Sequence, residues 1–257
     1  MRKILMAVLV AVLVVLSAVS AAANAGDAKQ DWLDAKDVTK EKQQLHQDAK
    51  LALVADNTPE NQQKVVDTGK DFLNAALDEA EAWLDWKDAE ADEDSRVPDD
   101  IKQRISDDVQ ANKDKIADLR VEVDAVNNQV ELGLITLKMI GKYFELLADV
   151  ARDTGLMWSH VADTHADKIE EFEQKLRTTA EDMDNNDDIM AKLDNAKSEL
   201  ETARRNIDNA KSTYELVKVP GTPFLKFAEG NSYLRAAQAN LITAYGNLNQ
   251  AYAMIVR

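Results

Sequence analysis

One stretch constrains the fold of this chain more than any other. From about Ile101 to Asp153, the residues Ile105, Val109, Asn112, Ile116, Leu119, Val123, Val126, Val130, Gly133, Leu137, Ile140, Phe144, Leu147 and Ala151 follow one another at alternating steps of four and three. This is the a/d rhythm of a heptad with one polar exception, Asn112, and it demands helices that bury a stripe against other helices. Read as a single helix, the stretch would be roughly 75–80 Å long at about 1.5 Å per residue.

The rest of the chain supplies partners. Only four prolines and eight glycines interrupt 257 residues, and aromatics make up 5%. Ala, Leu, Asp, Glu, Lys and Gln dominate, a composition suited to long helices. A polar helix is predicted from about Ala28 to Ala55. After Asp56-Asn57, Thr58 is a capping residue and Pro59 suits a first helical position. The helix that follows runs to about Ala91, with Val66, Leu73, Leu77, Ala80 and Leu84 facing inward.

Residues 92–98 form an acidic loop, and Asp99 and Asp100 favour the helix N-terminus after it. A turn or strong bend is expected near Gly155, because an unbroken rod to Met183 would exceed roughly 120 Å. A second register follows, carried by Trp158, Ala162, His165, Ile169, Phe172, Leu176 and Met183. Beyond the loop at Asp182–Asp188 lies another heptad helix, with Leu193, Ala196, Leu200, Ala203, Ile207, Ala210, Tyr214 and Val217. Within it, Asp194-Asn195-Ala196-Lys197-Ser198 recurs two heptads later as Asp208-Asn209-Ala210-Lys211-Ser212. Pro220-Gly221-Thr222-Pro223 ends it. The last helix, about Phe227 to Val256, has only Arg235 as a charge from Asn231 onward, which predicts a helix surrounded by its neighbours.

The fold expected is all-α: an elongated antiparallel bundle of about five or six long helices with coiled-coil-like seams. It divides into residues 1–25 as a secretory signal peptide and 26–257 as one bundle domain. Within that domain, 26–95 form an N-terminal hairpin, 98–185 the long central helix and its return, and 186–257 a C-terminal hairpin. The C-terminal hairpin, with Ala203, Ala210, Tyr214, Gly221, Leu234, Ala237, Leu241, Ala244, Tyr245 and Ala251, resembles the helical hairpins of outer-membrane efflux channels over about a quarter of the chain. No barrel strands accompany it, so no membership in that family is assigned.

The N-terminus is the most specific targeting signal. Met1-Arg2-Lys3 is basic, Ile4 to Leu16 is apolar throughout, and Ala23-Asn24-Ala25 is a cleavage pattern. Cleavage after Ala25 is expected, with an uncleaved anchor as the rival reading. The closest approach to a second span, Val130 to Val150, is interrupted by Glu131, Lys138, Lys142, Glu145 and Asp149, and is expected to be a buried core helix. There is no cysteine, hence no disulfide and no lipidated thiol.

Net charge is −16 at pH 7. Such a surface repels nucleic-acid phosphate and anionic lipid, so neither is expected as a partner, and no stable membrane insertion is expected after signal cleavage.

No catalytic, cofactor-binding or metal-binding residue is assigned. His160 and His165 stand about 140° apart on a helix and do not converge on a metal. His165 is expected as a buried, hydrogen-bonded neutral imidazole, and His46 as a surface residue. Asp182–Asp188 fails as an EF-hand, with Asp187 where Gly is needed and Leu193 where Glu is needed, leaving only weak cation binding. No nucleophile elbow, phosphate loop or dinucleotide fingerprint is present.

A near-repeat, Trp32-Leu33-Asp34-Ala35-Lys36-Asp37 and Trp83-Leu84-Asp85-Trp86-Lys87-Asp88, reads as core packing or as a duplicated docking patch. The apolar connection Val217–Phe227 either packs back on the bundle or faces a partner. Aromatic residues including Phe144, Trp158, Phe172, Tyr214, Phe227 and Tyr245 read as ordinary core or as a ligand pocket between helices.

These readings point to a non-catalytic structural or interaction protein of the cell envelope or extracellular space, binding a protein partner or itself. The alternatives are a small-ligand or cation-binding bundle and, more remotely, a helical pore-former.

Overall fold

A computed structural model describes residues 23–256, and its described residues form helices without strands. In chain order they are α1 (Ala23–Ala55), α2 (Pro59–Glu93), α3 (Asp99–Asp124), α4 (Gln129–Glu181), α5 (Asp187–Tyr214) and α6 (Pro223–Ile255). They pack antiparallel. Helix α4 runs the length of the molecule: its first part packs on α2 and α3, its second on α5 and α6, and α1 packs on α2. At about 1.5 Å per residue, the 53 residues of α4 span roughly 80 Å. The expected signal sequence lies outside the described residues apart from Ala23–Ala25, the first turn of α1.

The caps fall where their chemistry requires. Thr58 accepts a hydrogen bond from the Asn61 backbone N–H at 3.2 Å, and Pro59 opens α2. Asp99 and Asp100 occupy the first turn of α3.

The central stretch differs from the single helix that its rhythm predicts. It breaks at Ala125–Asn128 into a hairpin of α3 and α4. Asn128 Oδ1 caps α4 by accepting from the Glu131 N–H at 3.0 Å, and Glu131 Oε2 reaches back to accept from the Asn127 N–H at 2.8 Å. This is the reciprocal bonding of a capping box, shifted by one residue. Lys70 Nζ holds the other side of the turn, donating to the carbonyl of Asp124 at 2.7 Å. Val123 and Val126 before the turn and Leu132 after it are buried, so the turn moves the buried face of α4 off the rhythm, whose next member Val130 is exposed.

The helix is likewise not ended at Gly155 by the turn expected there; α4 continues through it. Gly155 serves close packing instead. A methyl group there would run into the ring of Tyr214, and one at Gly230 would stand 2.6 Å from the same ring. Tyr214 is wholly buried between these two glycines of α4 and α6, and its hydroxyl donates to Asn231 Oδ1 at 2.8 Å. Burial pushes its phenol up to about 12.

Two large cores result, joined around Tyr214. The first takes in Leu73, Leu77 and Leu84 of α2, Ile116 and Val123 of α3, and Leu132, Ile135 and Leu146 of α4. The second takes in Ile169 and Leu176 of α4, Leu193, Leu200 and Ile207 of α5, and Ala237, Leu241, Ala244, Leu248 and Ala251 of α6. The α5 heptads are buried as expected. Helix α6 turns alanines seven apart (Ala237, Ala244, Ala251) toward α5, which lets the two backbones approach. Contrary to expectation, α6 is not surrounded: among the described residues it packs only on α4 and α5, and Ile242 lies on its solvent side.

Candidate functional site

Four places in the structure bring chemistry-bearing or binding-competent side chains together. The first is a polar cluster between α3 and α4. Asn112, the one polar residue in the heptad, is buried and donates to the Asp108 carbonyl at 2.9 Å and to Asp149 Oδ2 at 3.2 Å. Arg152 reaches Asp108 at 2.7 Å, Asp149 at 3.0 Å and Asp153 at 3.1 Å. Burial pushes the Asp153 carboxyl up to about 7, against the opposing pull of Arg152.

A buried carboxyl with a raised pKa is a candidate acid or base. The cleft beside Asp153, walled by Ile105, Val109, Val150 and Met157, encloses about 10 Å³. That is about one water molecule. The cluster therefore has the geometry of an interhelical lock, fixing α3 against α4 in one register, as buried polar residues at heptad positions do.

The second place is the α1–α2 seam. Trp32 stacks on Trp86 at 5.0 Å between centroids, with Lys87 4.0 Å above the Trp86 ring and Lys36 4.8 Å above Trp32. The two halves of the near-repeat are not equivalent, since Leu84 is fully buried and Leu33 is exposed. The motif packs the two helices together. Farther along the same seam, His46 is buried, a correction to its expected surface position. Its Nδ1 lies 3.2 Å from Thr68 Oγ1, its ring stacks on Phe72, and desolvation lowers its pKa.

The third is the region of α4 holding His160 and His165, both half-buried with pKa lowered chiefly by desolvation. His165 stands beside Arg96, and its ring makes no hydrogen bond among the described residues, where one across the bundle was expected. No three His, Asp or Glu side chains among the described residues are grouped to hold a metal ion, the Asp182–Asp188 loop included. The aromatic residues do not converge: Tyr214 and Phe227 pack in the joint between the cores, Phe172 and Tyr245 against the C-terminal core, and Phe144 with Phe224 at the surface.

The fourth is the largest departure from expectation. Where a buried core helix is expected over Val130 to Val150, the first part of α4 leaves one face bare. Val130 is 73% exposed, Leu134 63% and Leu137 68%, and Ile140 and Phe144 are about half exposed. Gly133 and Gly141 share this face and have nothing within 4 Å of where a Cβ would stand. All seven lie within about 60° of Leu137 around the helix, at 3.6 residues per turn.

The same stripe continues along α4 as Ala148, Ala151 and Gly155, and there the α5–α6 end covers it. At the boundary Phe224 meets Phe144 edge-on, 6.3 Å between centroids, and remains half exposed. The α5–α6 connection divides, since Val217 is fully buried while Leu216, Val219, Phe224 and Leu225 face solvent. An open groove of about 360 Å³ between the α3–α4 turn and Leu134 borders the bare face. The described charges beside it are paired within the chain, Lys138 with Glu122 at 2.5 Å and Lys142 with Glu145 at 2.8 Å. No described helix is long and apolar enough to cross a membrane.

Comparison with protein-family models, with curated proteins and with solved structures found no match for this chain.

Proposed function

We propose that this chain is an exported, non-catalytic helical bundle that works by protein contact in the cell envelope or extracellular space. The bare apolar face of α4 is the observation that carries this reading. A monomer gains nothing from five large apolar side chains held in water along one helix face, and such patches are typical of interaction sites. The net charge of −16 supports the same reading. It disfavours nucleic acid and anionic lipid as partners and keeps most of the surface from nonspecific association. The long α4 adds a rigid spacer, locked in register by Asn112, Arg152 and Asp153.

Export rests on the N-terminal sequence: the basic start, the apolar run and the Ala23-Asn24-Ala25 site. Cross-linking on intact cells, followed by recovery of the protein and mass spectrometry of what is bound, tests the reading. An envelope or extracellular protein, or a second copy, attached through the first part of α4 is the expected product. Recovery of uncross-linked protein together with a melting temperature that rises with a metabolite or divalent cation would replace it with a ligand-binding role.

A further inference from the structure

We infer that the bare face of α4 is the seat of a second copy of this chain, paired antiparallel about a twofold axis at Leu137. This deepens the interaction reading above and rests on it. The bare face is symmetric. The exposed residues are arranged in mirror order about Leu137: Leu134 and Ile140 three residues away, Gly133 and Gly141 four away, Val130 and Phe144 seven away. Any heptad repeats its apolar positions in this way, but no heptad requires glycines at both flanking sites.

A twofold axis through Leu137 brings the same flank of each helix together. Leu134 of one copy then faces Gly141 of the other, and Ile140 faces Gly133, a branched side chain entering a gap each time. The space at both glycines is open in the single chain. Val130 of one copy meets Phe144 and Phe224 of the other at each end of the seam.

Size and charge agree. Half to three quarters of the six large side chains, Phe224 included, is roughly 600 Å² of apolar surface, the upper end of what monomers expose. With a polar rim, it approaches the ~800 Å² that each partner contributes to a standard interface. From Val130 to Phe144 the only charges are Glu131, Lys138 and Lys142, so a strongly acidic chain meets itself on a face that is not acidic. An isologous pair closes on itself and leaves both long acidic flanks outward.

The absence of cysteine makes the test direct. In the full chain, Leu137→Cys places one thiol of each copy at the axis, and oxidation should give a disulfide-linked dimer. Val121→Cys and Ile242→Cys, at exposed apolar positions elsewhere, should not. By sedimentation the parent chain should be a dimer and Leu137→Asp a monomer of unchanged helicity, since the side chain is outside the core. A dimer that survives Leu137→Asp, or equal cross-linking at all three thiols, overturns the pairing. A parent chain that stays monomeric at high concentration also overturns it, and a photo-cross-linker at position 137 then separates the two readings. Capture of a different envelope or extracellular protein overturns the second copy and leaves the interaction reading standing; capture of nothing overturns both.

Discussion

The two parts of α4 carry the same apolar rhythm and meet different fates. From Ala148 to Ala180 the stripe is enclosed by α5 and α6, with Ala166, Leu176 and Ala180 buried in their core. From Val130 to Phe144 the stripe facing Leu137 is in water, while the opposite flank, through Leu132, Ile135 and Leu146, packs on α2 and α3. The cause is the length of the C-terminal hairpin. It ends at Tyr214 and Pro223, level with Gly155 and Phe144, and α4 extends past it toward the α3–α4 turn. A heptad states that a helix face needs a partner. It does not state that the partner lies in the same chain.

Substitutions on the two parts should therefore behave differently, and the largest contrast is in side-chain truncation. Tyr214→Ala leaves a cavity where three helices meet and should cost about 3–5 kcal/mol, read by denaturant unfolding. Leu137→Ala, on the bare part, should change the stability of the dilute chain by no more than about 0.5 kcal/mol. Comparable losses would mean that the face around Leu137 is covered within the chain.

Asp153 stands at the joint between the two parts and predicts a pH dependence. Its carboxyl is raised to about 7 in the folded chain, from the ordinary value of 3.8. The folded state therefore binds the extra proton between those values. The stability it brings is complete below about pH 4 and lost as pH rises through 7. Asp153→Asn should remove this component, so unfolding measured from pH 4 to pH 8 should show the variant gaining roughly 4 kcal/mol on the parent, at about 1.4 kcal/mol per pKa unit. Parallel pH profiles would place Asp153 in water.

Glycines give the smallest contrast, and it changes sign. Gly141→Ala meets open space on a helix and should stabilise the dilute chain by up to about 1 kcal/mol. Gly155→Ala drives a methyl group into the Tyr214 ring and should destabilise by about 1–3 kcal/mol, as overpacking does. Two melting curves decide it.

Much of the architecture was legible from residue order. The α5 heptads, the Thr58–Pro59 start of α2 and the antiparallel all-α class follow from local rules that tertiary packing then reinforced. The turn at Ala125–Asn128 did not stand out because Val123, Val126 and Val130 keep the four–three steps across it, with no glycine or proline to mark the break. The signal was nonetheless there: Asn128 followed three residues later by Glu131 is a helix start.

Gly155 misled in the opposite direction. A glycine in a helical pattern ends a helix or admits a neighbour, and only the position of Tyr214, some sixty residues away in sequence, decides between them. The bare face was hidden for the same reason. Apolar spacing reports which side chains share a face, while coverage depends on how far the C-terminal hairpin extends. His46 fell to this limit as well: its surroundings of Thr68, Gly69 and Phe72 come from another helix.

Hydroxyl-radical footprinting of the full chain at increasing protein concentration tests the central contrast most directly. At dilution Leu134, Leu137 and Ile140 should react readily and Leu156, Ile169 and Leu176 should not. As concentration rises, only the first three should become protected. Protection of all six at every concentration would contradict the bare face, and reactivity of the first three at every concentration would contradict the second copy.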